Sequence, residues 1–225
     1  MALTDETPSQ LRSDAERNRR RIVAAARRAY AAAGLSVSMA AVARQAGVGI
    51  ATVFRHFPTR EDLIAAVFAD TMDTYLDAAA TALEDPDPWH GFIEYVKTVC
   101  AMQAADRGFA DVLTMTFLTT STLADKRAEA YWRFIELIDR AKASGRLRPD
   151  FSPVDLVILL LANAGVIAAT TDQMPDAWRR LVGYMLQAFA VHDSDTMPAA
   201  PDTAPYEAEI VRGQRWDPTD TGQQE

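Results

Sequence analysis

The chain has 225 residues, 49% of them apolar, with 23 Lys+Arg against 31 Asp+Glu and a formal charge of −8. That is enough apolar material for a core without staples, and the single cysteine, Cys100, excludes an internal disulfide or a thiolate zinc cluster. The polar N-terminus is no secretory signal, and the longest nearly apolar stretch, Leu156 to Ala169 around Asn163, is too short for a bilayer but long enough for a buried helix, so a soluble, cytoplasmic protein with no membrane partner is expected.

Helix signals dominate in chain order, and no stretch sustains strand alternation. Ser13 with Glu16 reads as the capping box of a first helix, whose stripe is Ile22, Ala26, Ala29, Tyr30 and Ala33 and which Gly34 stops. Ser38 caps a short second helix holding Val42 and Ala43. Gly47 breaks it, and a third runs to about Phe57, ahead of Pro58. Thr59 with Asp62 starts a longer helix with the stripe Ile64, Val67, Phe68, Met72, Tyr75, Leu76 and Ala79, broken by Asp-Pro-Asp-Pro at 85–88. Helices follow from about Trp89 to Ala105, near Ala110 to Phe117, and from about Leu123 to Ser144, closed by Gly145. Ser152, Pro153 and Asp155 supply N-cap, first-turn proline and first-turn acid for a helix reaching Ala169, and Asp176 to Ala190 is the last. From His192 on, proline, threonine and acids prevail, which reads as a disordered tail.

The acidic total hides an asymmetry. Residues 1–60 carry ten Arg against four acids, net +6, whereas residues 61–191 are net −8 and residues 192–225 net −6. On charge alone this is either a basic binding module on an acidic body or an arginine-rich solvated helix face.

Residues 38–57, SMAAVARQAGVGIATVFRHF, have the parts a helix-turn-helix needs. Ala43 is the small residue facing the partner helix, Gly47 is free to take positive φ in the turn, and Val48 plugs it. Val53 and Phe57, four apart, form a buried face, which sends Ile50, Thr52 and Arg55 elsewhere, toward a major groove. With the Ala-rich helix ending in Gly34-Leu35 and the run VARQAGVGIATVFRHFPTREDL, the stretch from Arg19 to about Phe68 resembles the DNA-binding domain of the TetR family of transcriptional regulators. The resemblance covers about fifty residues; beyond them only a helical region of the right length agrees.

The resemblance implies roles residue by residue. Ser38 matches a capping hydroxyl that often touches phosphate, Ile50 and Thr52 match positions that meet bases, His56 matches a phosphate contact, and Arg60 stands where a phosphate-facing lysine is usual. Phe54 replaces the usual tyrosine and Gly49 the usual serine, so a phenolic hydrogen bond is missing and the cap of the recognition helix is weaker. The candidate DNA-binding set is Ser38, Arg44, Gly49, Ile50, Ala51, Thr52, Phe54, Arg55, His56 and Arg60. Arg17, Arg19, Arg20 and Arg21 are either a phosphate-contacting edge or merely solvated.

The family also implies an effector pocket and a dimer interface of two helices per subunit in the C-terminal part. Trp89, Phe92, Val96, Cys100, Met115, Trp132, Ile135 and Asn163 are the candidate pocket residues, with Tyr95, Met102 and Phe117 nearby; a filled core is the alternative. Asn163, polar inside an apolar helix, bonds a ligand, its counterpart across a dimer axis, or a buried carbonyl. Ala162, Ala164, Gly165, Ala168 and Ala169 would permit close helix approach at a dimer. No nucleophile elbow, phosphate-cradling loop or paired-carboxylate motif is present, and His90 and His192 lack partners at ligand spacing.

The expectation is therefore an all-α protein: a helix-turn-helix domain over 1–58, a helical effector-binding and dimerisation domain over 59–191, and an acidic tail over 192–225. It would be a homodimeric repressor, not an enzyme, without cofactor or metal, released from a palindromic double-stranded operator by a small-molecule effector. The alternative is a helical enzyme or small-molecule carrier with no specific DNA binding.

Overall fold

The computed structural model describes residues 8–114, 121–170, 173–191, 197–199 and 201. Among them the elements are α1 (Pro8–Ala33), a 3-10 turn (Gly34–Ser36), α2 (Met39–Ala46), α3 (Ile50–His56), α4 (Arg60–Glu84), α5 (Pro88–Ala105), α6 (Arg107–Thr114), α7 (Ser121–Ala143), α8 (Pro153–Thr170) and α9 (Ala177–Phe189). The all-α expectation holds; one isolated antiparallel bridge, Leu147 with Ala190, ties the end of α7 to the end of α9.

Two boundaries differ from expectation. Ser13 lies inside α1, which begins at Pro8, a residue suited to a first turn because it has no N–H to satisfy. Asp14 pairs with Arg17 at 3.0 Å and Glu16 with Arg20 at 3.7 Å, so Glu16 points forward along the helix instead of back to a cap. The sixth helix starts at Arg107, not Ala110, because Asp106 ends α5 and its Oδ1 accepts the Phe109 N–H at 3.1 Å. The expected end of that helix, with Met115 and Phe117, lies outside the described residues, as does the tail from His192 apart from 197–199 and 201.

Two apolar clusters organise the helices. The first gathers Ile22, Ala26 and Tyr30 of α1, Val42 and Ala43 of α2, Val53 of α3, Leu63 to Met72 on the first half of α4, and Phe109 and Val112 of α6. The second gathers Ala79 and Ala82 at the far end of α4 with the buried faces of α5, α7, α8 and α9. Helix α4 belongs to both. Its carbonyls are also gripped from outside: Arg27 of α1 donates to Val67 O at 2.7 Å, and Arg133 and Arg140 of α7 donate to Leu76 O and Leu83 O.

Helix α8 is not the buried helix its composition suggests. Leu156, Leu159, Leu160 and Asn163 face the core, but Ile158 and Leu161 stand 44% and 55% exposed and Gly165, Ala168 and Ala169 are exposed beside them. An apolar run shows only that a helix avoids water somewhere; within this chain it does so on one face. Asn163 is fully buried and takes the carbonyl option, its Nδ2 donating to Cys100 O at 3.3 Å and Gln103 Oε1 at 2.9 Å. Gln103 returns a bond to Leu160 O at 3.3 Å, so a buried amide pair fixes the register of α8 on α5.

Helix α6 is seated on α1 through a missing side chain. A Cβ on Gly108 would stand 2.9 Å from Tyr30 Cβ and 2.8 Å from Phe68 Cζ, closer than real contacts allow. Asp111 Oδ2, one turn on, accepts the Leu35 N–H at 2.7 Å. We expect Gly108→Ala to force α6 away from α1 and to lower unfolding free energy by about 1–3 kcal/mol, read as a shifted urea midpoint; an unchanged midpoint would mean that α6 can move aside freely.

Candidate functional site

The surface with the features of a nucleic-acid reader is built by α2, its turn and α3. Ser38 caps α2, its Oγ accepting the Ala41 N–H at 3.2 Å. Gly47 sits in the left-handed region at φ 66°, ψ 38°, and the chain reverses there. An l-side chain is disfavoured in that conformation, and a Cβ would also meet Arg21 Nη2 at 3.0 Å. Val42, Ala43, Ala46, Val53 and Phe57 are buried and Val48 packs against them, so the turn is plugged as expected.

With Val53 and Phe57 turned inward, the opposite face of α3 is left to solvent. Ile50 and Phe54, four residues apart, are 41% and 47% exposed, and Gly49, Ala51 and Arg55 are exposed with them. Two large apolar side chains on one exposed helix face are costly in water and want a partner. Thr52 and His56 are half-buried at the edge of this face, and Arg44 is exposed on α2. Gly49 precedes α3 with no side-chain cap. The structure thus places Ser38 at the cap of α2, Arg44 on α2 and the rest of the candidate set on the turn and α3, except Arg60, which opens α4 three residues beyond Phe57 and is half-buried. Its guanidinium lies against Tyr30: burial pushes the Tyr30 phenol up, and Arg60 pulls it part of the way back. The buried Nε of Arg60 and Nε2 of His56 have no hydrogen-bond partner among the described residues.

The arginines of α1 are neither a row of free charges nor simply solvated. Arg21 donates to Ala46 O at 2.9 Å and braces the turn, Arg19 lies 5.3 Å over the Phe57 ring, and Arg17 and Arg20 pair within α1. The roles of Arg21 and Arg19 escaped the sequence because their partners are a carbonyl and a ring twenty-five or more residues away.

A second feature lies at the other end of α4. A cavity of about 60 Å³ is lined by Tyr75 of α4, Leu113 of α6, Arg127, Tyr131 and Phe134 of α7, and Pro153, Leu156, Val157 and Leu160 around the start of α8. The residues expected to line a pocket sit elsewhere. Trp89, Phe92, Val96 and Cys100 are packed into the second core, where Phe92 stacks on Trp89 at 5.6 Å and meets Phe151 edge-on at 5.4 Å. Burial pushes the Cys100 thiol up to about 12. Ile135 and Trp132 are half-buried on α7, and Asn163 is engaged with α5. Tyr95 stands one step behind the cavity, its hydroxyl donating to that of Tyr75 at 2.9 Å. The lining of this cavity carries a sequence signal: Arg127, Tyr131 and Phe134 follow the i, i+4, i+7 spacing of one helix face. His90, considered as a lone ligand, is held by Asp85 at 2.6 Å; the contact raises the imidazole and lowers the carboxyl.

Comparison with known proteins matches residues 22–67 to the model of bacterial regulatory proteins of the tetR family and residues 87–189 to that of the C-terminal domain of SbtR-like transcriptional regulators. The two together take in well over half of the chain. The HTH-type transcriptional repressor LfrR of Mycolicibacterium smegmatis is 28% identical over 176 residues, 75% of this chain and 88% of the repressor. Among solved structures, a TetR transcription regulatory protein from Mycobacterium vanbaalenii is 31% identical, covering 80% of this chain and 99% of that one at a TM-score of 0.46. A TetR family transcription regulator from Marinobacter aquaeolei VT8 reaches a TM-score of 0.55 at 19% identity, covering 81% of this chain and all of its own, and shares the fold.

The two caps make a paired prediction. Ser38→Ala removes a formed cap and should cost about 1 kcal/mol, whereas Gly49→Ser adds one where a Cβ meets only Thr52 Oγ1 at 4.0 Å and should gain a few tenths. Chemical denaturation of both variants checks the pair; destabilisation by Gly49→Ser would show that the start of α3 needs glycine for another reason.

Proposed function

Because the chain belongs to the TetR family of bacterial regulators, and is a DNA-binding transcriptional regulator, we propose that it acts in the cytoplasm as a homodimeric repressor released from a near-palindromic operator by a small molecule. The observation that carries the DNA reading is the outward face of α3, where Ile50 and Phe54 are exposed with Arg55 beside Thr52. In a major groove Ile50 finds the thymine methyl, and Thr52 supplies a hydroxyl that donates or accepts. Ser38, Arg44, His56 and Arg60 ring that face and serve as phosphate contacts, which position the helix without reading sequence. The rival expectation, a helical enzyme or carrier with no specific DNA binding, gives way to the family.

Dimerisation is proposed on α8 and α9. The exposed residues Ile158, Leu161, Ala162, Gly165, Ala168 and Ala169 recur every three or four positions on α8, and Gly183 and Tyr184 are exposed on α9 packed beside it. A second copy covers both, and its own α3 then enters a major groove about 34–36 Å from the first. Release follows from shared elements. Leu113 and Tyr75 line the cavity, and the helices that carry them, α6 and α4, are pinned to the N-terminal core by Asp111 and by Leu63 to Met72. A ligand that binds better to a wider cavity favours a different placement of α3, and the coupling equals that difference in affinity.

Ile50→Ala and Thr52→Ala are expected to change which operator positions are discriminated, each costing about 1–3 kcal/mol on the best site and little on random DNA. Binding of each variant to single-base operator variants, with thermal melts alongside, decides: unchanged discrimination with a lowered melting temperature would place both side chains in the core. Arg60→Ala should weaken binding to all sequences alike and flatten the salt dependence. Leu161→Asp should turn the dimer into a helical monomer by analytical ultracentrifugation and abolish tight operator binding; a dimer that survives the change would move the interface off α8.

A further inference from the structure

We infer that the cavity between α4, α6, α7 and α8 takes a small apolar monocarboxylate, with Arg127 as its counter-ion. The inference rests on the reading of this cavity as the effector site and names what the site selects. Its wall is aromatic and aliphatic apart from one arginine: Tyr75, Tyr131 and Phe134 offer ring faces, and Leu156, Val157 and Leu160 offer aliphatic surface. Among the described residues, no aspartate or glutamate lines it.

The charge balance around Arg127 is what selects the ligand. Its neighbours on α7 have partners: Lys126 pairs with Asp73, and Arg133 pairs with Glu129. Arg127 makes no hydrogen bond or ion pair with any of the described residues. A guanidinium stays protonated at any relevant pH. In a half-buried, mostly apolar wall it is a fixed positive charge without a counter-charge, at reduced dielectric.

Three classes of ligand meet this wall differently. A cation meets like charge and no acid to offset it. A neutral apolar molecule covers the guanidinium, strips its water and returns nothing. A carboxylate on an apolar body does both jobs, because the planar guanidinium fork donates to two carboxylate oxygens side by side while the body fills the ring-lined space. The size of the cavity adds a constraint. At about 60 Å³ it is smaller than the roughly 150 Å³ of an apolar cavity that holds benzene. A one-ring carboxylate therefore enters only by spreading α7 and α8 from Tyr75 on α4, and the bound state is the wider one.

The test is calorimetric titration of the full chain with benzoate and phenylacetate, their neutral amides benzamide and phenylacetamide, and the cation benzylamine. The carboxylates are expected to bind at least about tenfold more tightly than their amides, with no binding of benzylamine. Arg127→Gln should lose that advantage and keep the amide affinity within about threefold, Arg127→Lys should retain part of it, and Arg133→Gln, whose partner is Glu129, should leave it intact. Amides or amine binding as well as carboxylates, carboxylate affinity surviving in Arg127→Gln, or no carboxylate binding at all would each overturn the inference. Thermal melts and operator binding on the same samples show that each variant is folded. They also separate the two readings: operator binding with no carboxylate affinity leaves the repressor standing without this ligand class, and carboxylate binding that leaves the operator bound removes ligand-driven release.

Discussion

Three guanidinium groups holding the carbonyls of one helix are the interaction on which this structure turns. Arg27 reaches Val67 O from α1, and Arg133 and Arg140 reach Leu76 O and Leu83 O from α7, so α4 is gripped at intervals along its length by its neighbours on both sides. The Val67 and Leu76 carbonyls already accept intrahelical bonds and offer a second lone pair to a charged donor, whereas Leu83, in the last turn, has no intrahelical donor and is satisfied by Arg140. Such a bond resists both sliding and rotation, which apolar packing alone resists weakly. The capping box at Thr59 and Asp62 fixes where α4 begins, four residues after α3 ends. The orientation of the exposed face of α3 is thereby tied to a rod whose far end is buried in another core.

This arrangement makes the distance between α3 and the cavity mechanically short. Tyr75 on the cavity wall and Leu63 beneath the helix-turn-helix are about three turns apart on one unbroken helix. The second route is shorter still: on α6, Leu113 touches the cavity and Asp111 holds the Leu35 N–H just after α1. Gly108 lets α6 approach the Tyr30 backbone closely, so this route has little slack. Two stiff connections from one small void to one small domain are what a change of void size would need in order to be felt as a change of domain placement.

What could be read from the amino acids alone divides along the range of the forces involved. The helix-turn-helix was legible because its determinants are local: a hydroxyl at Ser38, positive φ at Gly47, and a buried pair four apart at Val53 and Phe57. The breaks at Gly34 and 85–88 were legible for the same reason. Ser13 misled because a capping box is only a spacing of two residue types, which an ordinary i, i+4 pair such as Glu16 with Arg20 also satisfies. The residues expected to line a pocket are a different case. Trp89 and Phe92 look like ligand-facing rings, but they are satisfied by each other and by Phe151. The lining is made where α7 passes the start of α8, a tertiary event that periodicity on α7 hints at but does not locate. Composition also cannot tell which face of an apolar helix meets the core: the run Leu156 to Ala169 reads as buried, yet Ile158 and Leu161 stand exposed.

Cys100 is the one thiol in 225 residues, fully buried on α5, with a proton that leaves only near the alkaline end of the scale. Its own carbonyl receives the Asn163 amide from α8. A thiol in that position is silent toward alkylating and oxidising reagents as long as α5 and α8 stay together, since it is the accessible thiolate that reacts. The molecule consequently carries an internal stopwatch. The rate at which a thiol reagent marks Cys100 counts the moments when this part of the fold opens, with no second cysteine to confuse the count and no foreign label to disturb the packing.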